Sequence, residues 1–237
     1  MRYDLGRAWF ATPKGRRALM YIREGTNDLN TCYASMTEDE YHVRDLSLSG
    51  LALDIGGYLG SVSIALLIDN PALRVICVEP VPDNQDLIER NASVNGVADR
   101  LTLIRGAAGR GGEPVTVAYG YTGTELELHH AFVGNSTIAQ SAETHLEAHY
   151  TAVSLSDLMG DEDAAFLKID CEGGEYSILT DPAVARIARI TGEWHNVPLP
   201  DGTTGSQDRI RALLEPTHAV TFAGPVEGPG GFDAVRR

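Results

Sequence analysis

An apolar run closed by glycines, LALDIGG at 51–57, leads directly into the apolar and small residues SVSIALLIDN at 61–70. No other feature narrows so much what this chain can fold into. An unbroken apolar run is the pattern of a strand buried on both faces. Glycines then let the chain turn sharply into a helix that packs on the sheet, and Asn70-Pro71 stops that helix. The same unit recurs. RVICVEP reads as a second buried strand, followed by a helix from about Asp83 to Asn95 that Asn95-Gly96 ends. LTLIRGAAG is a third strand, with PVTVAYG another nearby. AAFLKID is the next, followed by helical stretches over Glu175 to Leu179 and after Pro182, and ARITGEW is a further strand.

Strands alternating with helices specify an α/β, Rossmann-like fold, a mostly parallel sheet with helices on both faces. AVTFAG and FDAVRR near the end read as a closing antiparallel hairpin. Two regions depart from this rhythm. Residues 1–48 are mixed and polar with scattered aromatics, and read as short helices and loops forming an N-terminal cap segment. The domain proper then covers 49–237. Residues 120–150 read as an inserted loop carrying four of the seven histidines, a Gly-Asn-Ser turn and a helix around Ser141 to His149. Right-handed crossovers bring the carboxyl ends of the parallel strands to one edge, where ligands bind. The glycine turn after Asp54, Glu79, the turn after Arg105, and Asp170 all fall there.

Composition excludes several partners. Nineteen Lys and Arg against 33 Asp and Glu leave a net charge of −14, which repels phosphate backbones and argues against nucleic acid. No stretch approaches the roughly 18 apolar residues of a membrane span, and MRYDLGRAWF lacks the apolar core of a secretory signal. Three cysteines, Cys32, Cys77 and Cys171, show no paired spacing, so the expected location is the reducing cytoplasm.

The turn Asp54-Ile55-Gly56-Gly57-Tyr58-Leu59-Gly60 lets the backbone approach a ligand closely. A dinucleotide fingerprint needs glycines at the first, third and sixth places of its loop. Counting from Gly56, the later places hold Tyr58 and Ser61, so a nicotinamide cofactor is disfavoured and a ligand without a pyrophosphate suits better. Asp54 is placed to anchor an ammonium or a water beneath the loop. Glu79, at the end of the second strand and followed by Pro80, is placed to accept both ribose hydroxyls. Asn84 or Gln85 assists at the next helix start, and Ala107 and Ala108 are small enough for an adenine ring to lie flat.

DIGGYLGSVSIAL, VICVEPVPDN, LKIDCEGGEYSIL and GEWH, in this order and spacing, resemble the FkbM-type methyltransferase family, as does the upstream segment REGTNDLN. The resemblance covers roughly residues 23 to 195. Its most specific part is the Lys-Ile-Asp-x-Glu-Gly-x-Glu stretch, and Cys171 stands where the family often has valine. The resemblance implies a Rossmann-like methyltransferase fold with S-adenosylmethionine as cofactor. It also implies methylation of a small hydroxylated metabolite, commonly at oxygen, such as a sugar or other natural product. It extends the cofactor-binding set to Asp28, Asp54, Gly56, Gly57, Tyr58, Gly60, Glu79, Pro80, Asn84, Ala107 and Asp170, with Asp28 assigned by resemblance alone to the cofactor's amino end. Residues 120–150 match nothing in it, and substrate choice is expected there.

For the chemistry, candidates gather at the ends of the later strands. Asp170, Glu172 and Glu175 lie around one turn, while Glu193 and His195 alternate and so face one side. The first reading makes His195 the general base for a substrate hydroxyl. A second has Asp170, Glu193 and His195 gripping a divalent metal such as magnesium, a reading less favoured than the first. A third is structural, with Lys168, Asp170 and Glu172 pairing to brace the loop. His145 and His149 share a face of the expected helix, but Glu does not directly follow the first histidine as a metalloprotease helix requires, so a solvated face is the better reading. His129-His130 reads as loop, and Cys171 has no evident base to make it a nucleophile. N-methylation and a non-catalytic cofactor-binding partner are the rival functions.

Overall fold

The computed structural model describes residues 4–122, 125–133, 144–224 and 229–237. The chain begins with a hairpin, β1 (Leu5–Ala11) antiparallel to β2 (Arg17–Arg23), then a short helix α1 (Asp28–Cys32) that runs on as a π-helical turn over Tyr33–Thr37. The expectation of helices and loops for this segment is corrected at the hairpin. Buried Ala18 and Met20 alternate with exposed or half-buried neighbours along β2, a period of two over a run too short and too charged to stand out. The turn between the strands carries Gly15 at φ +78°.

The alternating units then follow. They are β3 (Gly50–Ile55), α2 (Ser61–Asp69), β4 (Leu73–Glu79), α3 (Pro82–Val94) and β5 (Leu101–Arg105). Next come β6 (Pro114–Thr122), β7 (Glu125–Val133) and β8 (Thr144–Thr151), then α4 (Leu155–Met159), β9 (Ala164–Ile169), α5 (Glu175–Ile178) and β10 (Arg189–Trp194). The chain closes with α6 (Gln207–Leu214), β11 (His218–Ala223) and β12 (Gly230–Arg236). The main sheet has the order β11-β12-β10-β9-β3-β4-β5, with β12 antiparallel to both its neighbours and the ladders from β10 to β5 parallel. The closing hairpin expected from the sequence is therefore present at one edge. Two large apolar clusters complete the layers. One joins β3 and β9 to α4, α5, α6 and β12. The other joins α2 and α3 to Phe10, Ala18, Met20, Cys32 and Met36 of the N-terminal segment, so that segment shares a core with the sheet domain.

In place of the expected inserted loop, the described residues of β6, β7 and β8 form a second sheet, β7-β6-β8, antiparallel throughout. The helix expected around Ser141 to His149 is corrected over its described part, where Thr144–Thr151 is strand β8. Histidines four apart share a face in a strand as they do in a helix, so their spacing could not decide between the two. The Gly-Asn-Ser turn at 134–136 lies outside the described residues. The small sheet is tied to the main one where Val153 N–H donates to Ala107 O at 3.0 Å and Gly109 N–H to Val153 O at 3.0 Å. Chain order runs outward from β3 to β4 and β5 on one side, and from β9 to β10 on the other. The switch point, and with it the ligand crevice of such a sheet, therefore lies between β3 and β9. Among the described residues, no helix is long and apolar enough to cross a membrane.

Candidate active site

A cavity of about 540 Å³ opens at that switch point, within the range typical of small-molecule sites. The turn from β3 into α2 forms its floor. Gly56 holds φ +82°, and a Cβ there would lie 1.8 Å from the Asp170 carbonyl oxygen; a Cβ on Gly57 would lie 2.2 Å from Cys77 Sγ. Both glycines exist because β3 presses against β9 on one side and β4 on the other. The same crossing lets Asp170 N–H donate to Ile55 O at 3.1 Å, so the end of β9 is hydrogen-bonded to the turn.

Glu79 ends β4 beneath the cavity and is 2% exposed. Its Oε1 accepts from Val81 N–H at 2.9 Å and Asn84 Nδ2 at 3.1 Å, and its Oε2 from Tyr58 N–H at 2.8 Å. Burial dominates these bonds and pushes its pKa up to about 7. The cavity also receives Gly56, Gly57, Tyr58, Pro80, Ala107, Ala108 and Asp170 from the expected set. The other members stand behind it. Gly60 caps α2 at φ +86°. Asn84 is buried and braces Glu79, while Gln85 Nε2 donates to the Glu79 carbonyl at 2.8 Å. Neither Asp54 nor Asp28 reaches the cavity. Asp54 is fully buried, accepts from Ser63 Oγ at 2.6 Å and faces Lys168 Nζ at 3.6 Å. The ammonium it anchors is thus the protein's own. Asp28 is equally buried and forms an ion pair with Arg23.

Register explains the Lys168 pairing, since Asp54 and Lys168 are partners across the β3–β9 ladder. Lys168 Nζ also donates to Gly56 O at 2.6 Å and stands 3.8 Å from Asp170. Burial works against this charge, but Asp170 and Asp54 outweigh it and hold its pKa above the usual lysine value. Lys168 and Asp170 do pair, whereas Glu172 lies 3.5 Å from His195 Nε2. Tyr41, from the N-terminal segment, donates its hydroxyl to Asp170 Oδ2 at 2.9 Å. Nothing in its own sequence neighbourhood marked that role. A signal did exist for Lys168, two residues before Asp170 and so on the same side of the strand.

At the end of β10 the Glu193 carboxylate lines the cavity, and His195 stands behind it with Nε2 3.8 Å from Glu193. His195 Nδ1 contacts the fully buried Glu175, which also accepts from Gly173 N–H at 2.7 Å. Burial lowers the imidazole's pKa, but the hydrogen bond and charge of Glu175, with Glu172 and Asp170 beyond, push it up to about 9. Burial, then repulsion from Asp170 and Glu40, pushes Glu193 up to about 7. Among the described residues, Asp170, Glu193 and His195 form the group whose ligand atoms lie mutually within 4.8 Å, close enough to hold a metal ion. His149, exposed on β8, meets Thr116 Oγ1 at 3.1 Å.

The sequence matches the model of the methyltransferase FkbM domain over residues 54–221. No curated protein matches it by sequence. Solved structures resembling it include a protein described as an O-methyltransferase from Nostoc punctiforme PCC 73102, with TM-score 0.50 and 12% identity, covering 89% of this chain and 58% of that one. Another is precorrin-6y C5,15-methyltransferase from Geobacter metallireducens GS-15, with TM-score 0.46 and 16% identity, covering 81% and 83%. An rRNA methylase from Streptococcus thermophilus has TM-score 0.47 and 9% identity, covering 85% and 95%. At these identities the likeness is one of fold.

Proposed function

This chain belongs to the FkbM methyltransferase family and is an S-adenosylmethionine-dependent methyltransferase, and from that premise we propose that it methylates a hydroxyl oxygen of a small metabolite, with His195 as general base. The observation that carries this reading is the Asp170, Glu193 and His195 cluster, gathered at the ends of β9 and β10 beside the cavity whose floor holds Glu79. The cavity fits the cofactor. It has the volume, a carboxylate held by three donors where ribose hydroxyls are expected, and small residues, Ala107 and Ala108, where a flat ring would lie. Bound S-adenosylmethionine supplies an activated methyl group.

The chain's own residues then have two tasks, alignment and disposal of one proton. Converting an O–H to an O–CH₃ releases that proton. Glu193 faces the acceptor, and His195, with the higher pKa of the two, is the stronger base and the proton's final holder. Glu175 fixes the imidazole from behind. Residues 1–48 act as the cap, since Asn30, Ser35 and Tyr41 line the cavity from that side. The net charge of −14 supports a small acceptor over RNA, and the three cysteines, all free, support a cytoplasmic setting. Natural-product or sugar biosynthesis is the role in keeping with this chemistry. An amine acceptor is the nearest alternative. A divalent ion held by Asp170, Glu193 and His195 is the less favoured mechanism.

Methyl transfer to a panel of hydroxylated and amino metabolites, followed across pH with labelled cofactor, tests the proposal. With His195 as base, kcat/KM for a hydroxylated acceptor rises about tenfold per pH unit and levels near pH 9. The His195→Gln variant loses that rise, and chelation leaves the rate unchanged. A plateau already reached near pH 7, with His195→Gln fully active, would assign the proton to Glu193. Exclusive N-methylation would sink the oxygen assignment.

A further inference from the structure

Arg23 and Asp28 form a buried ion pair, 2% and 0% exposed, that does not line the cavity. The guanidinium grips the carboxylate with two prongs, Nε to Oδ2 at 2.9 Å and Nη2 to Oδ1 at 2.8 Å, and the Arg23 backbone N–H adds a third bond at 2.8 Å. Removing two charges from water makes such a pair a weak source of stability. What it supplies, and an apolar pair would not, is direction.

Two arms leave the pair. Arg23 Nη1 donates to Asn84 Oδ1 at 2.9 Å. This fixes which end of the Asn84 amide points where, so its Nδ2 donates to Glu79 Oε1. On the other arm, the Tyr58 hydroxyl donates to Asp28 Oδ1 at 2.7 Å, and the Arg23 guanidinium carbon stands 5.2 Å from the centre of the Tyr58 ring. Tyr58 holds φ +51°, a left-handed conformation uncommon in residues with a side chain. Its backbone N–H donates to Glu79 Oε2. The circuit closes, with each oxygen of Glu79 held by a residue that answers to the pair.

We propose that Arg23 and Asp28 are positioning residues for the cofactor's ribose, acting through Asn84 and Tyr58 to aim the Glu79 carboxylate. The inference rests on the assignment of Glu79 to the ribose hydroxyls. It turns the N-terminal segment into part of the cofactor site and gives Asp28 a role one step removed from the ligand.

The test is calorimetry on the full chain with S-adenosylhomocysteine and its 2′,3′-dideoxy counterpart, alongside melting of the ligand-free protein. The wild type prefers the ribose form, and Glu79→Ala loses that preference. Tyr58→Phe and Arg23→Lys each cut the preference about fivefold, one net hydrogen bond's worth. Their affinity for the dideoxy form moves less than about twofold. If both variants keep the wild-type preference while Glu79→Ala abolishes it, the pair is structural only and the inference falls alone. If Glu79→Ala keeps the preference, the ribose assignment itself is wrong. Should Arg23→Lys fail to fold, Tyr58→Phe, which removes a single hydroxyl, decides.

Discussion

Glu79 is a single buried carboxylate through which pH would act on both folding and the proposed ribose contact. Its folded pKa, about 7, stands above the ordinary carboxylate value. The folded chain therefore holds this proton more tightly than the unfolded one. The resulting contribution to stability is present in acid, below the ordinary carboxylate pKa, and is lost as pH rises through about 7. It amounts to roughly 3 kcal/mol. Lys168 is the charge that eases its ionisation, and burial outweighs it. Ribose hydroxyls donating to the ionised form would recover part of this loss. Cofactor affinity is therefore expected to climb about tenfold from pH 6 to a plateau above pH 8, since only about a tenth of Glu79 is ionised at pH 6. Calorimetry across that range checks it. The Glu79→Gln variant should bind at least about tenfold more weakly and show a flat profile; a wild-type affinity independent of pH would detach Glu79 from the ligand.

The glycine turn between β3 and α2 is an element whose sequence is dictated by its neighbours as much as by its ligand. Gly57 is glycine because the Cys77 thiol of β4 occupies the space a side chain would need, and Cys77 is fully buried. Gly57→Ala should then cost about 2 kcal/mol through overpacking, read by denaturant unfolding. Cys77→Ala in the same chain should recover more than half of that loss, because it removes the colliding sulfur. Equal losses in the single and double variants would mean that the turn's backbone, not the thiol, sets the requirement. The β1–β2 hairpin is built on the same logic of neighbours. Asn91 of α3 and Asn95 just beyond its end turn their amides onto the edge of β2, with Tyr21 N–H donating to Asn91 at 2.6 Å and Leu19 N–H to Asn95 at 2.9 Å. These side chains satisfy an edge that would otherwise be open.

At the scale of the whole molecule, the N-terminal segment joins the rest in two ways. It contributes Phe10, Met20 and Met36 to a buried cluster with α2 and α3, and it sends Tyr41 to Asp170 and Arg23 to Asn84. A chain starting at residue 49 would expose that cluster and lose the Tyr41 bond to Asp170 and the Arg23 bond to Asn84. Such a truncation is expected to lose cofactor binding and to unfold or aggregate at temperatures where the full chain is native. Circular dichroism and calorimetry would show it; a truncated chain that binds with full affinity would reduce residues 1–48 to a detachable cap.

Much of this fold was legible in the chain because a parallel sheet writes itself locally. Each buried strand must be apolar on both faces, and LALDIGG and RVICVEP each announce a strand within seven residues. The glycine turn, Glu79, Asp170 and the Glu193–His195 pair were readable for the same reason, since strand order alone brings strand ends to one edge. The hairpin at 5–23, the strand at 144–151 and the true partners of Asp28, Asp54 and His195 were not readable. Asp54 looks like a ligand-facing acid until the β3–β9 register sets Lys168 against it, and His195 looks like an ordinary base until Glu175 raises its pKa to about 9. The sequence by itself determined the sheet, the edge where its parallel strands end and the residue types along that edge, because those follow from local apolar pattern and right-handed crossovers. Only the tertiary structure decided which charges meet and which side chains reach the cavity, because charge pairing and desolvation depend on distances between residues far apart in the chain.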